Sequence, residues 1–188
     1  SCSSAYYGNT TWKLNNTGIY QPGNAMLALE VMRYLFGESG RRERWRAVLA
    51  DLKWAGRMEE ILPDVYVDGA HNISAVEAFT ESVPEDGREN VILFSAVQDK
   101  DYEKMAECLC RSRRAALYVV THIDGSRGAA AQSLADIFRK YTEQPVIVKE
   151  SVKEAFEYAL SIRNGRRIYC LGSLYLAGAI KGLVQEEI

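Results

Sequence analysis

The sequence predicts an α/β fold: a Rossmann-like, mostly parallel sheet with helices on both faces, preceded by a short helical segment. Three observations predict it. From Trp54 onward, short β-branched runs alternate with helical patterns, as in βαβ units. Several of these runs are apolar almost throughout, which is typical of strands covered on both faces. The 188 residues are 47% hydrophobic, enough for one large or two small globular domains.

Residues 1–54 contain a polar opening segment followed by two helices. The first twenty residues are rich in Gly, Asn and Thr without a clear period, so they predict a loop or an irregular strand pair. Residues 22–36 predict a helix, because Pro22 lies near its start and apolar residues recur at spacings of three and four. A second helix is predicted over residues 42–52. This part is too small for a good core of its own, so we expect it to be the tail of a larger domain.

Residues 55–188 hold the alternating strands and helices, a length that suits one α/β domain. Strands are predicted over residues 65–69, 90–97, 115–122, 145–149 and 167–173. Helices are predicted over residues 72–82, 101–113, 128–140, 151–163 and 174–184. Open parallel sheets bind ligands beyond the carboxyl ends of their strands, so we expect the functional site there.

Composition excludes several classes of function. The net charge of −2 gives no electrostatic case for binding nucleic acid or an anionic membrane. The four cysteines, with only two histidines, favour free thiols in a reducing cytosol over a metal site; they are Cys2, Cys108, Cys110 and Cys170. No apolar run approaches the roughly 20 residues of a membrane helix, and no signal peptide is recognisable. We therefore expect a cytoplasmic protein without nucleic-acid or membrane partners.

The run VDGAHN places polar residues where a strand gives way to a helix. Asp68 ends the strand and can accept hydrogen bonds from ribose hydroxyls. Gly69 permits a tight turn or a close approach of ligand to backbone. His71 can stack on a ligand or hydrogen-bond to it, and Asn72 can cap the helix. The simpler alternative is that Asp68 and Asn72 only cap the helix and that His71 is a surface histidine.

Four segments of the chain resemble those of folylpolyglutamate synthases and dihydrofolate synthases, relatives of the Mur ligases. They are YQPGNAMLALEVM from Tyr20, WAGRMEEILPDVYVDGAHN from Trp54, SAVQDKDYEKM from Ser95 and CLGSLYLAGAI from Cys170. Their order and spacing match that family and together they cover most of the chain. Two positions depart from it: Ile73 replaces the usual proline after DGAHN, and Tyr20 replaces the usual histidine.

The resemblance implies an ATP-dependent ligase of the tetrahydrofolate synthase type that uses magnesium. Such enzymes join L-glutamate to the γ-carboxyl of a folate through an acyl phosphate, and some also act as dihydrofolate synthases. By resemblance, Arg57 reaches the phosphates of ATP, Asp68 holds the ribose and His71 lines the nucleotide. The alternative for Arg57 is a surface pair with Glu59 or Glu60.

Three further residues are candidates for binding the carboxylates of the incoming glutamate. Lys100 follows the second strand of the α/β part, and Ser173 ends its last strand. Arg127 is a weaker candidate in the segment GSRGAA. Their alternatives are a solvated lysine and a serine that only caps a helix.

The chain lacks the phosphate-binding loop pattern G-x-x-x-x-G-K-[ST]. Residues 124–131, DGSRGAAA, have the wrong spacing and no lysine. In the family this loop, the magnesium ligands and a modified lysine lie upstream, so we expect this chain to be the C-terminal part of the enzyme and to be folded but inactive without the N-terminal ATPase domain. Two alternatives stay open: another Mur-type amino-acid ligase, and a non-catalytic nucleotide-binding or interaction module.

Overall fold

The computed structural model describes residues 2–3, 11–15, 17–37 and 40–186. The chain forms two compact units, Ser1–Ala55 and Gly56–Ile188. Much of the polar opening segment lies outside the described residues, and the side chain of Cys2 does too.

In its described residues, the first unit is a small strand pair with two helices. Its elements are β1 (Cys2–Ser3), β2 (Thr11–Trp12), α1 (Gln21–Phe36) and α2 (Arg42–Asp51). β1 and β2 pair antiparallel, which confirms the strand alternative for the residues described. Trp12, Leu29 and Trp45 form the small core of the unit.

The apolar stripe of α1 is only partly covered. Ala25 and Leu29 are buried, whereas Met32 and Phe36 are 37% and 52% exposed. A groove of about 530 Å³ lies between α1 and α2 and is lined mainly by apolar side chains. Within the described part of the unit, the N-terminal half of the stripe is therefore buried and its C-terminal half is open.

The second unit is an α/β sheet with helices on both faces. Its strands are β3 (Glu59–Leu62), β4 (Val65–Val67), β5 (Asn90–Phe94), β6 (Leu117–Thr121), β7 (Val146–Lys149) and β8 (Arg167–Leu171). Its helices are α3 (Ile73–Ser82), α4 (Tyr102–Arg111), α5 (Ala131–Tyr141), α6 (Val152–Ser161) and α7 (Leu174–Glu186). Among the described residues the strand order is β3-β4-β8-β5-β6-β7, and every neighbouring pair except β3 with β4 is parallel. The predicted fold class is confirmed.

Each face of the sheet has its own core, because successive side chains of a strand point to opposite faces. Ile92 and Phe94 of β5 pack in the cluster that α3, α4 and α5 cover. Val91 and Leu93 pack in the cluster that α6 and α7 cover. Burial on both faces explains why the central strands are apolar almost continuously.

The antiparallel edge strand β3 is not predicted by the sequence. It has only four residues, and these are half-buried or exposed, so they carry no clear strand pattern. Pro63 and Asp64 connect β3 to β4, and Asp64 has a positive φ of 61°. Glu59 pairs with Val67 in this hairpin. The start of β3, and Arg57 just before it, therefore lie beside the carboxyl end of β4.

Candidate functional site

The six predicted site residues all lie at or beside the carboxyl edge of the sheet. They are Arg57 before β3, Asp68 and His71 after β4, Lys100 after β5, Arg127 after β6 and Ser173 after β8. Because β4, β8, β5 and β6 are neighbours in this order, their ends meet along one edge. The structure places three of them around the start of β3 and two on the loops after β5 and β6, with Ser173 after β8, the strand between β4 and β5.

Arg57 lies in a tight turn whose backbone is held by the segment after β4. Gly56 and Met58 on either side of it have positive φ angles of 66° and 45°. The N–H of Met58 donates to Oδ2 of Asp68 at 2.8 Å, across ten residues of sequence. The N–H of Gly69 donates to the carbonyl of Gly56 at 2.7 Å. A left-handed conformation is costly for a residue such as Met58, so these hydrogen bonds help to hold it.

Asp68 is buried, with 4% of its surface exposed. Oδ1 accepts the N–H of Ala70 at 2.8 Å, and Oδ2 accepts the N–H of Met58. Hydrogen bonds from backbone N–H groups to a carboxylate are charge-assisted and stronger than neutral ones. Both donors belong to turns and not to α3. A carboxylate can accept about four hydrogen bonds, so contact with a ribose stays a prediction beside this backbone role.

The residues after Asp68 complete the turn into α3. Nδ1 of His71 lies 2.7 Å from the carbonyl oxygen of Gly69. A carbonyl oxygen only accepts, so Nδ1 carries the proton and Nε2 of the neutral ring is an acceptor. Oδ1 of Asn72 accepts the N–H of Ala75 at 2.9 Å, which confirms Asn72 as the cap of α3.

Arg57 is half-buried and forms no ion pair with any described residue. Its guanidinium donates only a long hydrogen bond, 3.5 Å, to the carbonyl of Gly56. The carboxylate of Glu59 is 2.7 Å from the ammonium of Lys181, and Glu60 accepts the N–H of Asp64 at 3.0 Å. The surface pair of Arg57 with Glu59 or Glu60 is therefore not formed. A guanidinium without a neighbouring carboxylate favours an anionic ligand.

The second group joins the loops after β5 and β6. Arg127 is mostly exposed and pairs with Asp99 at 3.2 Å, and its carbonyl accepts the N–H of Gln98 at 2.8 Å. Lys100 is half-buried and has no ion pair within the described part of the chain. Asp101 caps α4. The pairing with Asp99 makes Arg127 the weaker candidate for an anionic ligand of the two cations.

Ser173 is 2% exposed and immediately precedes α7. Its Oγ accepts the N–H of Tyr175 at 3.1 Å, the pattern of a helix cap. The predicted alternative of a capping serine is therefore present. The hydroxyl hydrogen is a separate donor, so a contact with a glutamate carboxylate remains a prediction.

Two polar residues at the same edge are not singled out by the sequence. Ser95 follows β5 directly, is fully buried, and its Oγ has no hydrogen-bond partner among the described residues. His122 follows β6, and its Nδ1 lies 3.3 Å from the carbonyl of Ala129. The signal that identifies Asp68, a polar residue at a strand end, applies equally to both.

No group of three or more His, Cys, Asp or Glu side chains among the described residues is placed to hold a metal ion. None of their helices is both long and apolar enough to cross a membrane.

The mostly parallel sheet with helices on both faces defines an open α/β domain, a class whose ligands bind at the carboxyl ends of the strands. Residues 56–174 match a protein family described as Mur ligase, glutamate ligase domain. The match spans more than half of the chain, and the chain belongs to this family.

Relatives with established names are folate ligases. The chain is 28% identical over 177 residues to the dihydrofolate synthase/folylpolyglutamate synthase of Bacillus subtilis (strain 168), covering 87% of this chain and 39% of that protein. It is 25% identical to the folylpolyglutamate synthase of Lacticaseibacillus casei, covering 87% of this chain and 38% of that protein. Folylpolyglutamate synthase of Mycobacterium tuberculosis, solved with ADP and AMPPCP, superposes with a TM-score of 0.84 at 27% identity, covering 91% of this chain and 41% of that one. The chain thus spans about two fifths of the length of these relatives.

Proposed function

We propose that this chain is the glutamate-ligase part of an ATP-dependent folylpolyglutamate synthase, which adds L-glutamate to the γ-carboxyl of a reduced folate. The family match and the names of the relatives support this reaction class. The observation that carries the proposal is Arg57, a half-buried cation without an ion pair among the described residues at the edge where such sheets bind ligands. An arginine in that position suits the phosphates of a nucleotide.

The reaction needs activation because a carboxylate is a poor acyl donor. Transfer of the γ-phosphoryl group of ATP to the folate carboxylate forms an acyl phosphate and ADP. The amine of glutamate, after losing a proton, attacks the acyl carbon, the new amide forms and inorganic phosphate leaves. Cationic groups are required to neutralise the charge on the phosphoryl group during its transfer.

The first group of residues is proposed to bind ATP. The guanidinium of Arg57 would donate paired hydrogen bonds to phosphate oxygens, with its fixed charge countering theirs. Asp68 would accept from the ribose hydroxyls in addition to the two backbone N–H groups that it already binds. His71 would line the nucleotide through Nε2, because Nδ1 is already hydrogen-bonded to the carbonyl of Gly69.

The second group, together with Ser173, is proposed to bind the incoming glutamate. Lys100 has no ion pair among the described residues, so its ammonium is available for a carboxylate. Ser173 would donate its hydroxyl hydrogen to the same or the second carboxylate. Arg127 would contribute only after its pair with Asp99 opens.

The phosphate loop and the magnesium ligands are proposed to come from an ATP-binding domain, because the sequence lacks the loop pattern and the family resemblance places both upstream. The first unit supports such a partner. Apolar side chains on a second side of α1 are also exposed, including Leu27, Tyr34 and Leu35, which are 67%, 90% and 60% exposed. α1 thus carries apolar residues on two sides, and a helix that must bury more than one side normally lies inside a larger domain. Alone, the chain is proposed to be inactive.

Radiolabelled glutamate incorporation tests the proposal. This chain would be assayed alone, and also joined to the ATP-binding region of the Bacillus subtilis relative, with ATP, magnesium and a reduced folate. We expect incorporation with equal formation of ADP by the joined protein and none by the chain alone. Turnover by the chain alone would contradict the assignment of the phosphate loop to another domain.

The same assay tests the two alternative functions, another Mur-type amino-acid ligase and a non-catalytic module. Incorporation into a cell-wall peptide precursor in place of folate would identify another Mur-type amino-acid ligase. Binding of ATP by the joined protein without any incorporation would favour a non-catalytic module. Either result would refute the folate ligase.

A further inference from the structure

We propose that Gly69 is a positioning residue for Arg57. Because Gly69 has no side chain, it leaves a space, called the seat below, in which the guanidinium of Arg57 lies. Asp68 fixes the turn that carries Arg57. The inference rests on the proposed function for its catalytic consequence, because it concerns how the phosphate-binding cation is aimed. It gives a role to a residue that need not touch the ligand itself.

The atoms around Gly69 leave no room for a side chain at this position. A Cβ built on Gly69 would lie 2.7 Å from Nη1 of Arg57 and 3.2 Å from the carbonyl oxygen of Gly56, and it would overlap Cδ2 of Leu174. The guanidinium therefore rests on the backbone of Gly69, with Leu174 as a wall of the same seat. Heavy atoms at such separations repel one another, so any side chain at this position would displace the guanidinium or Leu174.

Backbone conformation does not require glycine at this position. Gly69 is absent from the glycines with positive φ, whereas Gly56 and Gly172 are among them. An alanine could adopt the conformation of Gly69 without the strain that a left-handed residue carries. The requirement at Gly69 is therefore for space next to Arg57.

The turn that carries Arg57 is fixed from the other side by hydrogen bonds. Asp68 accepts the N–H of Met58 at 2.8 Å, and the N–H of Gly69 donates to Gly56 at 2.7 Å. These bonds fix the residues before and after Arg57 against the segment that supplies the seat. Among the described residues the guanidinium itself has only one long hydrogen bond. Its direction is therefore set by packing and by the turn, and not by an ion pair that a phosphate would have to break.

Two substitutions at the seat test the proposal, one by adding an atom to it and the other by removing part of its wall. Gly69→Ala crowds the guanidinium, and the atoms it meets first are the flexible ends of Arg57 and Leu174. Leu174→Ala removes a wall without adding bulk, and Leu174 is 52% exposed, so its truncation should cost little stability. Gly178→Ala in α7 is the control, because nothing lies within 4 Å of a Cβ there.

Kinetics of the chain joined to an ATP-binding region give the first readout. A displacement of about 1 Å can cost roughly 10²-fold in rate, so we expect both seat variants to lower kcat/KM for ATP at least about tenfold, with KM for glutamate unchanged. In an Arg57→Ala background, neither variant should lower it further. Equal losses with and without Arg57 would show a general structural defect and overturn the proposal, as would wild-type values in both variants.

Nuclear magnetic resonance of the 188-residue chain gives a readout that needs no activity. The Nε–H signal of Arg57 is assigned by its loss in Arg57→Ala, and its heteronuclear NOE reports how strongly the guanidinium is held. We expect a rigid signal in the wild type and in Gly178→Ala, and a mobile one in both seat variants. A mobile wild-type Arg57 would overturn the seat, even in a protein that proved to have no ligase activity.

Discussion

Lys181 and Glu59 form an ion pair in which Nζ lies 2.7 Å from Oε1 and 2.9 Å from Oε2. Oε2 of Glu59 also accepts the N–H of Gly56 at 2.6 Å. The pair ties α7 to the turn before β3 and engages the acid that stands two residues from Arg57. Arg57 forms no ion pair with Glu59, and a guanidinium without an ion pair is available to an anionic ligand.

Breaking this pair should lower stability modestly. Lys181→Met removes the ammonium from a pair whose side chains are 28% and 30% exposed. Partly exposed pairs contribute about 0.5–1 kcal/mol, so we expect a loss of that size in urea unfolding. A double-mutant cycle with Glu59→Gln should give a coupling of similar size that weakens at high salt. Zero coupling would mean that the pair has no energetic role.

Low pH should reduce the stability that the pair of Arg167 and Asp86 contributes at the amino end of the sheet, opposite the site. Arg167 donates two hydrogen bonds to Asp86, with Nη1 2.9 Å from Oδ1, and this pairing holds the pKa of Asp86 well below its ordinary value of 3.8. A carboxyl whose pKa is lowered on folding stabilises the protein above its unfolded pKa and loses that contribution as the pH falls through the folded value.

The variant Asp86→Asn tests this linkage. Above about pH 4 the wild type should be the more stable of the two in urea, because there Asp86 is charged in both states. The difference should shrink steadily as the pH is lowered below 4. A difference that stays constant down to pH 2 would show that the pKa of Asp86 is not linked to folding.

Two of the cysteines should be unreactive in the folded chain. Burial raises the pKa of Cys110 to about 11 and raises that of Cys170 further. Only the thiolate reacts with alkylating reagents, so at pH 8 neither residue should be modified until the chain unfolds. Peptide mapping after brief treatment with iodoacetamide, in the native state and in urea, measures this. Rapid native labelling of Cys170 would contradict its burial in the sheet.

The exposed side of α1 should bind apolar dyes. Tyr34 is 90% and Leu35 is 60% exposed, so Tyr34→Ser with Leu35→Ser should leave thermal unfolding nearly unchanged. The same change should reduce the fluorescence of bound ANS, which reports accessible apolar surface. When the chain is joined to an ATP-binding region, the wild-type signal should fall to the level of this variant. An undiminished signal in the joined protein would argue against that region covering α1.

The five parallel strands could be predicted because their sequence patterns are local. β5 and β8 are apolar almost throughout, since each is covered on both faces, and such runs are recognisable without knowing the fold. β3 could not be predicted, because its four half-exposed residues become a strand through pairing with β4. Strand formation of this kind depends on a tertiary partner and leaves little trace in sequence.

In the site, too, some features could be predicted from the sequence and others could not. Asp68 and Asn72 are recognisable as polar residues at the junction of a strand and a helix, and the cap by Asn72 is present. The hydrogen bond from Met58 to Asp68 could not be foreseen, since it joins residues ten apart and needs a positive φ at Met58. Nor could the sequence reveal that Lys181, over a hundred residues away, engages Glu59.

Arg57→Ala in the joined enzyme tests the central claim most directly, with kcat/KM for ATP as the measured quantity. Removing a charged donor from a phosphoryl-transfer site costs about 10²-fold or more, so we expect a loss of that size with unchanged thermal unfolding. Arg111→Ala is the matched control, because Arg111 is a 76% exposed arginine paired with Glu107 on α4. It should retain wild-type activity. Equal kcat/KM in Arg57→Ala and Arg111→Ala would contradict the account of Arg57 as the phosphate-binding cation.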